Sequence, residues 1–262
     1  MKLNHPDKTP VVVHQMGKVA SSSVVSSLAR AGDRDVFHTH RLNARTLDVR
    51  LSYHKRTNTP VPKVDRAAQF IIENFLTRAR KIQLVSLVRE PIARNISAYF
   101  ETLDTRWGTK DAHAVIPVEQ LVERFIEEYD HDIPDKWFDD EIRDTVGLDV
   151  YEKPFPQQQG YVLLGNQKAD LLVMKHDLDD ELKGIALGRL LGTGPRKVER
   201  TNVGRQKNYG DTYETFRRSI RLGENFVRRM LQSRYACHFY SEQERELAFR
   251  MWTSTNTKIR AG

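Results

Sequence analysis

Short apolar runs, each long enough for one β-strand, recur along this chain of 262 residues. Three consecutive valines at residues 11–13 form such a run, and a longer one follows at residues 82–88, as in the buried strands of parallel sheets. The pattern predicts strands at residues 11–14, 35–39, 82–88, 161–164 and 170–174.

Apolar residues in the intervals between these strands recur at helical spacing. Asp65 is predicted to cap one helix and Pro117 to open another, while Ser241 and Glu244 form the capping box of a third. Strands that alternate with long helices predict an α/β fold. We expect a single domain over residues 1–262, built on a parallel sheet that is flanked by helices on both faces.

Two polar stretches interrupt this pattern and are predicted to be loops. Residues 41–63 are rich in Arg, Asn, Thr and Pro, and residues 192–210 combine several Gly with many cations. The second stretch is either a basic lid over an anionic ligand or an exposed connection. Its candidate ligand-binding residues are Arg205 and Lys207.

The composition narrows the class of protein and of partner. With 39% hydrophobic and 29% charged residues the chain suits a soluble globular protein, and its net charge of +7 attracts polyanions or acidic small molecules. A single cysteine, Cys237, allows no internal disulfide and no zinc set, which favours a reducing compartment and a packed thiol. There is no apolar stretch of about 20 residues and no leader signal at Met1, so we expect a cytoplasmic protein without a membrane span.

Residues 14–24 carry the first candidate site. They lead from the apolar strand into a helical pattern, through a tight loop that holds Lys18 and three serines. A helix N-terminus presents free N–H groups and partial positive charge, so this arrangement is typical of a phosphate site. It is not a Walker A motif, because Val12 and Val19 stand where that motif has its first Gly and its Mg²⁺-binding hydroxyl.

A second candidate segment follows the apolar strand at residues 82–88. Arg89 stands at the carboxyl end of that strand, and Pro91 is in the favoured first position of the helix that follows. Ser97 lies eight residues after Arg89, about one and a half turns into this helix. Because ligands of open parallel sheets sit beyond the carboxyl ends of the strands, Lys18 and Arg89 are expected to face one crevice.

Together the two segments resemble the PAPS-dependent sulfotransferases, whose donor is 3′-phosphoadenosine 5′-phosphosulfate. The likeness is to the carbohydrate branch, such as the heparan and chondroitin 2-O-sulfotransferases, and the chain is also similar to bacterial capsular polysaccharide synthesis proteins. The residues that carry the resemblance are Lys18, Ala20, Ser21 and Ser23 in the first segment and Arg89, Pro91, Ile92, Arg94, Ser97 and Tyr99 in the second.

The resemblance implies a P-loop-like fold, PAPS as donor, PAP as product and no metal requirement. Arg89 and Ser97 would hold the 3′-phosphate, and the loop would hold the 5′-phosphosulfate. Lys18 is then catalytic, because it meets the charge that grows on the leaving phosphate. The residues of the loop that would bind the donor are Gly17, Lys18, Val19, Ala20, Ser21, Ser22 and Ser23.

An acceptor hydroxyl needs a general base, and histidine has a suitable pKa near 6.5. His38 and His40 lie on one face at the end of the second predicted strand. The segment resembles the His-x-His of the 2-O-sulfotransferases, which implies that the second histidine, His40, is the base, although Thr39 stands where those enzymes have Gly. His14 and Glu101 are the reserve candidates.

The sequence is compatible with three functions. The favoured one is transfer of a sulfuryl group from PAPS to a hydroxyl of a saccharide. A P-loop kinase or another NTP-dependent transferase is the first alternative, although the Walker pattern and an acidic Mg²⁺ motif are missing from the sequence. The second is a non-catalytic basic module for a nucleotide or nucleic acid, which the lack of a zinc-finger or RNP pattern disfavours. Nucleic acid is therefore not the expected partner.

Overall fold

The structure, a computed structural model, describes residues 1–199 and 210–253. Arg205 and Lys207 lie outside these residues, so their proposed contact with an anionic ligand stays a prediction. Within the described residues, no helix is both long enough and apolar enough to cross a membrane. The expected cytoplasmic location likewise stays a prediction.

A five-stranded sheet forms the centre of the fold. The strands stand in the order β2-β1-β3-β5-β4. Their bounds are β1 Val11–His14, β2 Val36–Thr39, β3 Ile82–Val88, β4 Tyr161–Gly165 and β5 Ala169–Lys175. Each observed strand lies within one residue of its predicted bounds. Every residue of β3 is buried, as its apolar sequence predicts.

One strand departs from the predicted parallel sheet. Strands β1, β2, β3 and β5 pair in parallel, but β4 is antiparallel to β5. Only residues 166–168 connect the two strands, and so short a connection can join only antiparallel neighbours. Asn166 forms this turn, because its side-chain oxygen accepts hydrogen bonds from the backbone N–H groups of Lys168 and Ala169.

The parallel register brings four strand ends to one edge of the sheet. His14 is paired with Thr39, and Val88 with Lys175, so the chain leaves β1, β2, β3 and β5 at the same edge. This edge holds the residues directly after each strand. It is the location at which open α/β sheets bind ligands.

Helices follow the strands along the chain, and the assignment of helices to both faces of the sheet stays a prediction. Their bounds are α1 Ser22–Ala31, α2 Ala44–Thr57, α3 Lys63–Ile71, α4 Pro91–Glu101, α5 Leu103–Trp107, α6 Ala112–Val115, α7 Val118–Glu128, α8 Ile133–Phe138, α9 Asp144–Val146, α10 Asp180–Leu191, α11 Gly210–Ser219, α12 Glu224–Leu231, α13 Arg234–Phe239 and α14 Glu242–Thr253. Two π-helical turns, Ile72–Leu76 and Asp139–Arg143, extend α3 and α8.

Helix α2 contradicts the prediction of a loop at residues 41–63. It buries only Leu47 and His54, so its sequence carries no apolar stripe. Asn43 starts the helix, since its side-chain oxygen accepts a hydrogen bond from the backbone N–H of Arg45. The local signal for this helix in the sequence is therefore its N-cap residue, and not an apolar stripe.

Three smaller predictions have mixed outcomes. The capping box is confirmed, because Ser241 and Glu244 exchange hydrogen bonds at the start of α14. Asp65 is not a cap: Pro62 holds that position, and Asp65 lies buried inside α3 near the side chains of Arg41 and Arg50. Cys237 is exposed, so the prediction of a packed thiol is wrong.

The chain divides into two compact units. The first comprises Met1–Arg89 and Ile133–Thr201 and contains the whole sheet. The second comprises Glu90–Asp132 and Asn202–Gly262 and is helical in its described residues.

The second unit has an aromatic core of its own. Tyr99 of α4 packs on Phe125 of α7 with ring centroids 5.4 Å apart, and Phe216 of α11 lies against both. Pro91 is the first residue of α4, as predicted, and the carboxylate of Glu90 caps that helix by accepting hydrogen bonds from two backbone N–H groups.

Candidate functional site at the carboxyl edge of the sheet

The loop between β1 and α1 has an unusual backbone. Gly17, Lys18 and Ala20 have φ angles of 81°, 60° and 59°, in the left-handed region. Residues other than glycine reach this region at a cost of about 1–3 kcal/mol each, and such strain is concentrated at functional sites. Val19, between the two strained residues, is fully buried and anchors the loop in the core.

Among the described residues, no side chain caps the N-terminus of α1. Ser21 is its N-cap residue but makes no side-chain capping bond, and no acidic residue lies in the first turn. The Ser21 hydroxyl instead accepts a hydrogen bond from the side-chain amide of Gln15. Ser22 is exposed and Ser23 half-buried. The first-turn amides of this ten-residue helix are therefore not covered by a side-chain cap, as an anion site requires.

Arg89 reaches this loop from the end of β3. Its guanidinium Nη1 donates a hydrogen bond to the backbone carbonyl of Lys18 at 3.0 Å. The two cationic residues thus meet at one edge of the sheet, on the same side of the first unit. Arg89 is half-buried, which strengthens its electrostatic interactions relative to those of a fully solvated arginine.

Two predicted site residues lie in the other unit. Ser97 is half-buried in α4, and Glu101, the last residue of that helix, is exposed. The predicted joint binding of a phosphate by Arg89 and Ser97 stays a prediction.

Three histidines surround Gln15 where β1 and β2 end. Gln15 is almost fully buried, and its side-chain Nε2 lies 2.9 Å from Nε2 of His38. Its backbone carbonyl accepts a hydrogen bond from Nδ1 of His40 at 2.9 Å. The ring centroids of His38 and His40 are 4.8 Å apart. Gln15 therefore fixes the orientation of both histidines that the sequence had singled out.

These hydrogen bonds define different roles for the two rings. A carbonyl only accepts, so His40 carries its proton on Nδ1 and keeps a lone pair on Nε2. The amide of Gln15 supplies one hydrogen to Ser21 and the other to His38, so the Nε2 lone pair of His38 is already used. Of the two, His40 has the ring nitrogen suited to accept a proton.

Burial keeps both rings neutral near pH 7. It lowers the pKa of His40 more than the hydrogen bond to the Gln15 carbonyl raises it. Burial also lowers the pKa of His38 to about 4, with a further contribution from the neighbouring His40 and His14. A neutral imidazole is the form that a general base requires.

His14 is a structural member of the group. The ring is fully buried, donates or accepts a hydrogen bond through Nδ1 with the Thr39 hydroxyl at 2.9 Å, and packs on Trp137. Its Nε2 lies 3.5 Å from the buried carboxylate of Glu141. Because its ring is fully buried, His14 is the least accessible of the candidate bases.

The structure adds three residues that the sequence analysis did not identify. Gln15 and Glu141 contact the candidate histidines, and His176 follows β5 beside Arg89, where burial lowers its pKa to about 4. The position of Gln15 directly after a strand that ends at this edge was a usable signal. Glu141 gave none, because it lies almost 100 residues away in the sequence.

Other kinds of site find less support in the described part of the chain. No group of three or more His, Cys, Asp or Glu residues there could hold a metal ion. The groups suited to an anionic donor are the Lys18 loop, the open end of α1 and Arg89.

Residues 116–241 match the model of a family described as NKWYS, "Putative capsular polysaccharide synthesis protein". The match covers a little under half of the chain and begins after both the Lys18 loop and Arg89. No curated protein and no solved structure matches the chain significantly. The chain is thus similar, over its middle part, to proteins associated with polysaccharide synthesis.

Proposed function

We propose that this protein transfers a sulfuryl group from PAPS to a hydroxyl of a saccharide. The observation that carries the proposal is the 3.0 Å hydrogen bond from Arg89 to the carbonyl of Lys18, which joins the two predicted anion-binding segments at one edge of the sheet. A donor with phosphate groups at both ends of a nucleoside needs two separate phosphate sites that face one crevice. An ordinary nucleoside triphosphate would draw its contacts to a single polyphosphate chain.

The β1–α1 loop supplies the charge stabilisation that sulfuryl transfer needs. By analogy with phosphoryl transfer, the attacking and leaving oxygens are in line, and negative charge grows on the leaving phosphate. Lys18 and the backbone N–H groups at the start of α1 are placed to stabilise that charge. In this proposal the fold is P-loop-like, but Lys18 and the helix terminus stabilise the leaving phosphate without the Walker hydroxyl and its Mg²⁺.

His40 is the proposed general base. Its Nδ1–H is held by the Gln15 carbonyl, so Nε2 can take the proton of the attacking hydroxyl. The resulting imidazolium is stabilised by the same carbonyl, which accepts from Nδ1–H in both protonation states. His38, whose Nε2 accepts from Gln15, supports the arrangement through that shared amide.

A saccharide acceptor is supported by the family match, whose description names polysaccharide synthesis. That match overlaps the first unit at residues 133–201 and so includes part of the sheet, but not the proposed donor loop.

Ligand-induced thermal stabilisation tests the donor assignment. PAP at millimolar concentration is expected to raise the melting temperature clearly, ADP weakly, and ATP with Mg²⁺ no more than ADP. Arg89→Ala is expected to lose most of the PAP shift, since it removes the group proposed to bind the second phosphate. A larger shift with Mg²⁺-ATP than with PAP, or Mg²⁺-dependent ATP turnover, would contradict the proposal in favour of an NTP-dependent transferase.

A further inference from the structure

Glu141 is a buried carboxylate with an unusual set of partners. It lies on the π-helical turn Asp139–Arg143 and is 4% exposed. Its Oε2 accepts hydrogen bonds from the backbone N–H groups of Leu42 at 2.6 Å and Asn43 at 2.9 Å. Its Oε1 accepts from the hydroxyl of Thr46 at 2.6 Å. One side chain thus holds the segment that connects β2 to α2.

This segment begins at the proposed base. His40 directly follows β2, and the two N–H groups bound by Glu141 belong to the second and third residues after it. Asn43 strengthens the attachment, because its side-chain amide donates to the backbone carbonyl of Asp140 at 2.9 Å. The chain on the carboxyl side of His40 is therefore fixed to the turn at residues 139–143.

Glu141 also contacts the structure on the other side of His40. Its Oε2 lies 3.5 Å from Nε2 of His14, the residue directly before Gln15. The carbonyl of Gln15 is the group that accepts from His40 Nδ1. His14 is in turn hydrogen-bonded to Thr39, the residue directly before His40. The carboxylate therefore contacts both the segment that follows the base and the strand that leads to the carbonyl orienting it.

We propose that Glu141 is a positioning residue for His40. Its carboxylate holds the β2–α2 connection and His14 in the arrangement that directs Nδ1 of His40 at the Gln15 carbonyl and leaves Nε2 for the acceptor. A role in turnover rests on the proposed function, whereas the orientation of the ring can be measured without it. Burying a carboxylate is costly unless its oxygens are satisfied, and here hydrogen bonds to one short segment satisfy them.

Three variants separate positioning from other effects. Glu141→Ala removes the acceptor atoms. Glu141→Gln keeps one oxygen for the backbone N–H groups and can donate to the Thr46 hydroxyl. Asp140→Asn is the matched control, because it removes the same charge from the adjacent, exposed position of the same turn.

The decisive measurement is the tautomer of His40 in long-range ¹H–¹⁵N correlation spectra, with the ring assigned by its absence in His40→Gln. In the unmodified protein and in Asp140→Asn the proton is expected on Nδ1. Glu141→Ala is expected to shift the population toward the Nε2–H tautomer that free histidine favours, and Glu141→Gln is expected to restore most of the Nδ1–H form. A folded Glu141→Ala protein with an unchanged tautomer would overturn the inference.

Kinetics give a second readout if the protein is a sulfotransferase. We expect Glu141→Ala to lower kcat by about 10- to 100-fold, as displacement of a catalytic group does, with little change in the KM for PAPS. An equal loss in kcat and donor affinity would instead indicate general damage and contradict positioning.

If Glu141→Ala does not fold, Thr46→Val removes one of the three donors at nearly constant shape, and an unchanged His40 tautomer in that variant would overturn the inference. Because the spectra need no turnover, a correct tautomer shift without sulfuryl transfer would reject the proposed function alone.

Discussion

Two strand–turn–helix connections leave the same edge of the sheet, and their helix N-termini differ. Strand β1 leads through the Lys18 loop into α1, and β5 leads through residues 176–179 into α10. Asp179 caps α10, its side chain accepting a hydrogen bond from the backbone N–H of Glu181, and two acidic residues lie in its first turn. Helix α1 has neither a side-chain cap bond nor an acidic residue there.

The difference shows what makes a strand–turn–helix unit suitable for an anion. Both connections have the same topology, and both helices are long enough to present partial positive charge at their N-termini. In α10 the protein's own carboxylates lie at that charge. In α1 no carboxylate lies in the first turn, and we propose that Lys18 and Arg89 add to the charge there for an anionic ligand. Cap chemistry, rather than topology, distinguishes the candidate site.

The largest expected effect is at Lys18. Lys18→Ala is expected to reduce sulfuryl transfer by about 10²- to 10³-fold, because it removes the full charge that we propose stabilises the leaving phosphate. Lys168→Ala is the matched control, since Lys168 is an exposed lysine in the β4–β5 turn. Transfer of ³⁵S from labelled PAPS to saccharide mixtures measures both. Near-normal turnover in Lys18→Ala would show that Lys18 matters no more than Lys168, and would contradict the proposal that the α1 connection is the donor site.

A smaller effect should follow when α1 is given the chemistry of α10. Ser22→Glu places a carboxylate in the first turn of α1, where it should weaken PAP binding about tenfold and stabilise the free protein by about 0.3–1 kcal/mol. Ala29→Glu makes the same change in net charge near the other end of the helix, at an exposed position, and should leave PAP binding nearly unchanged. Calorimetric titration with PAP and chemical unfolding provide the two readouts. Equal loss of PAP affinity in both variants would show that overall charge, and not the helix terminus, controls binding.

The smallest effect is expected from the reverse change. Asp179→Ala removes the cap of α10 and should cost about 1 kcal/mol in the free energy of unfolding, as lost N-caps do. The affinity for PAP should not change, because this N-terminus is not part of the proposed site. Urea unfolding and PAP titration on the same sample test this, and a change in PAP affinity would indicate that both helix termini serve the ligand.

Periodicity predicted the sheet well because its signal is local. The run at residues 82–88 is apolar throughout its buried length, and the structure has a strand with the same bounds. Helix α2 was missed because it buries few residues and so has no apolar stripe. The antiparallel direction of β4 was missed although its signal was present, because the predicted strands leave only residues 165–169 between them, too few for a parallel crossover.

In the candidate site, too, only the residues with a local sequence signal could be predicted. Lys18, Arg89, His38 and His40 follow predicted strands, so their common edge could be expected before the structure was known. The left-handed backbone at Lys18 and Ala20 could not, since neither residue favours it. Glu141 depends on a contact across 98 residues of sequence, which no local pattern can indicate.

The backbone conformation of Lys18 has a consequence for which amino acids this position can accept. At a φ of 60°, glycine would relieve about 1 kcal/mol of strain, part of which is offset by its greater freedom in the unfolded chain. A change from lysine to glycine would therefore relax the backbone of this loop. The backbone conformation alone gives no reason for a lysine here, so the reason has to lie in what its side chain does.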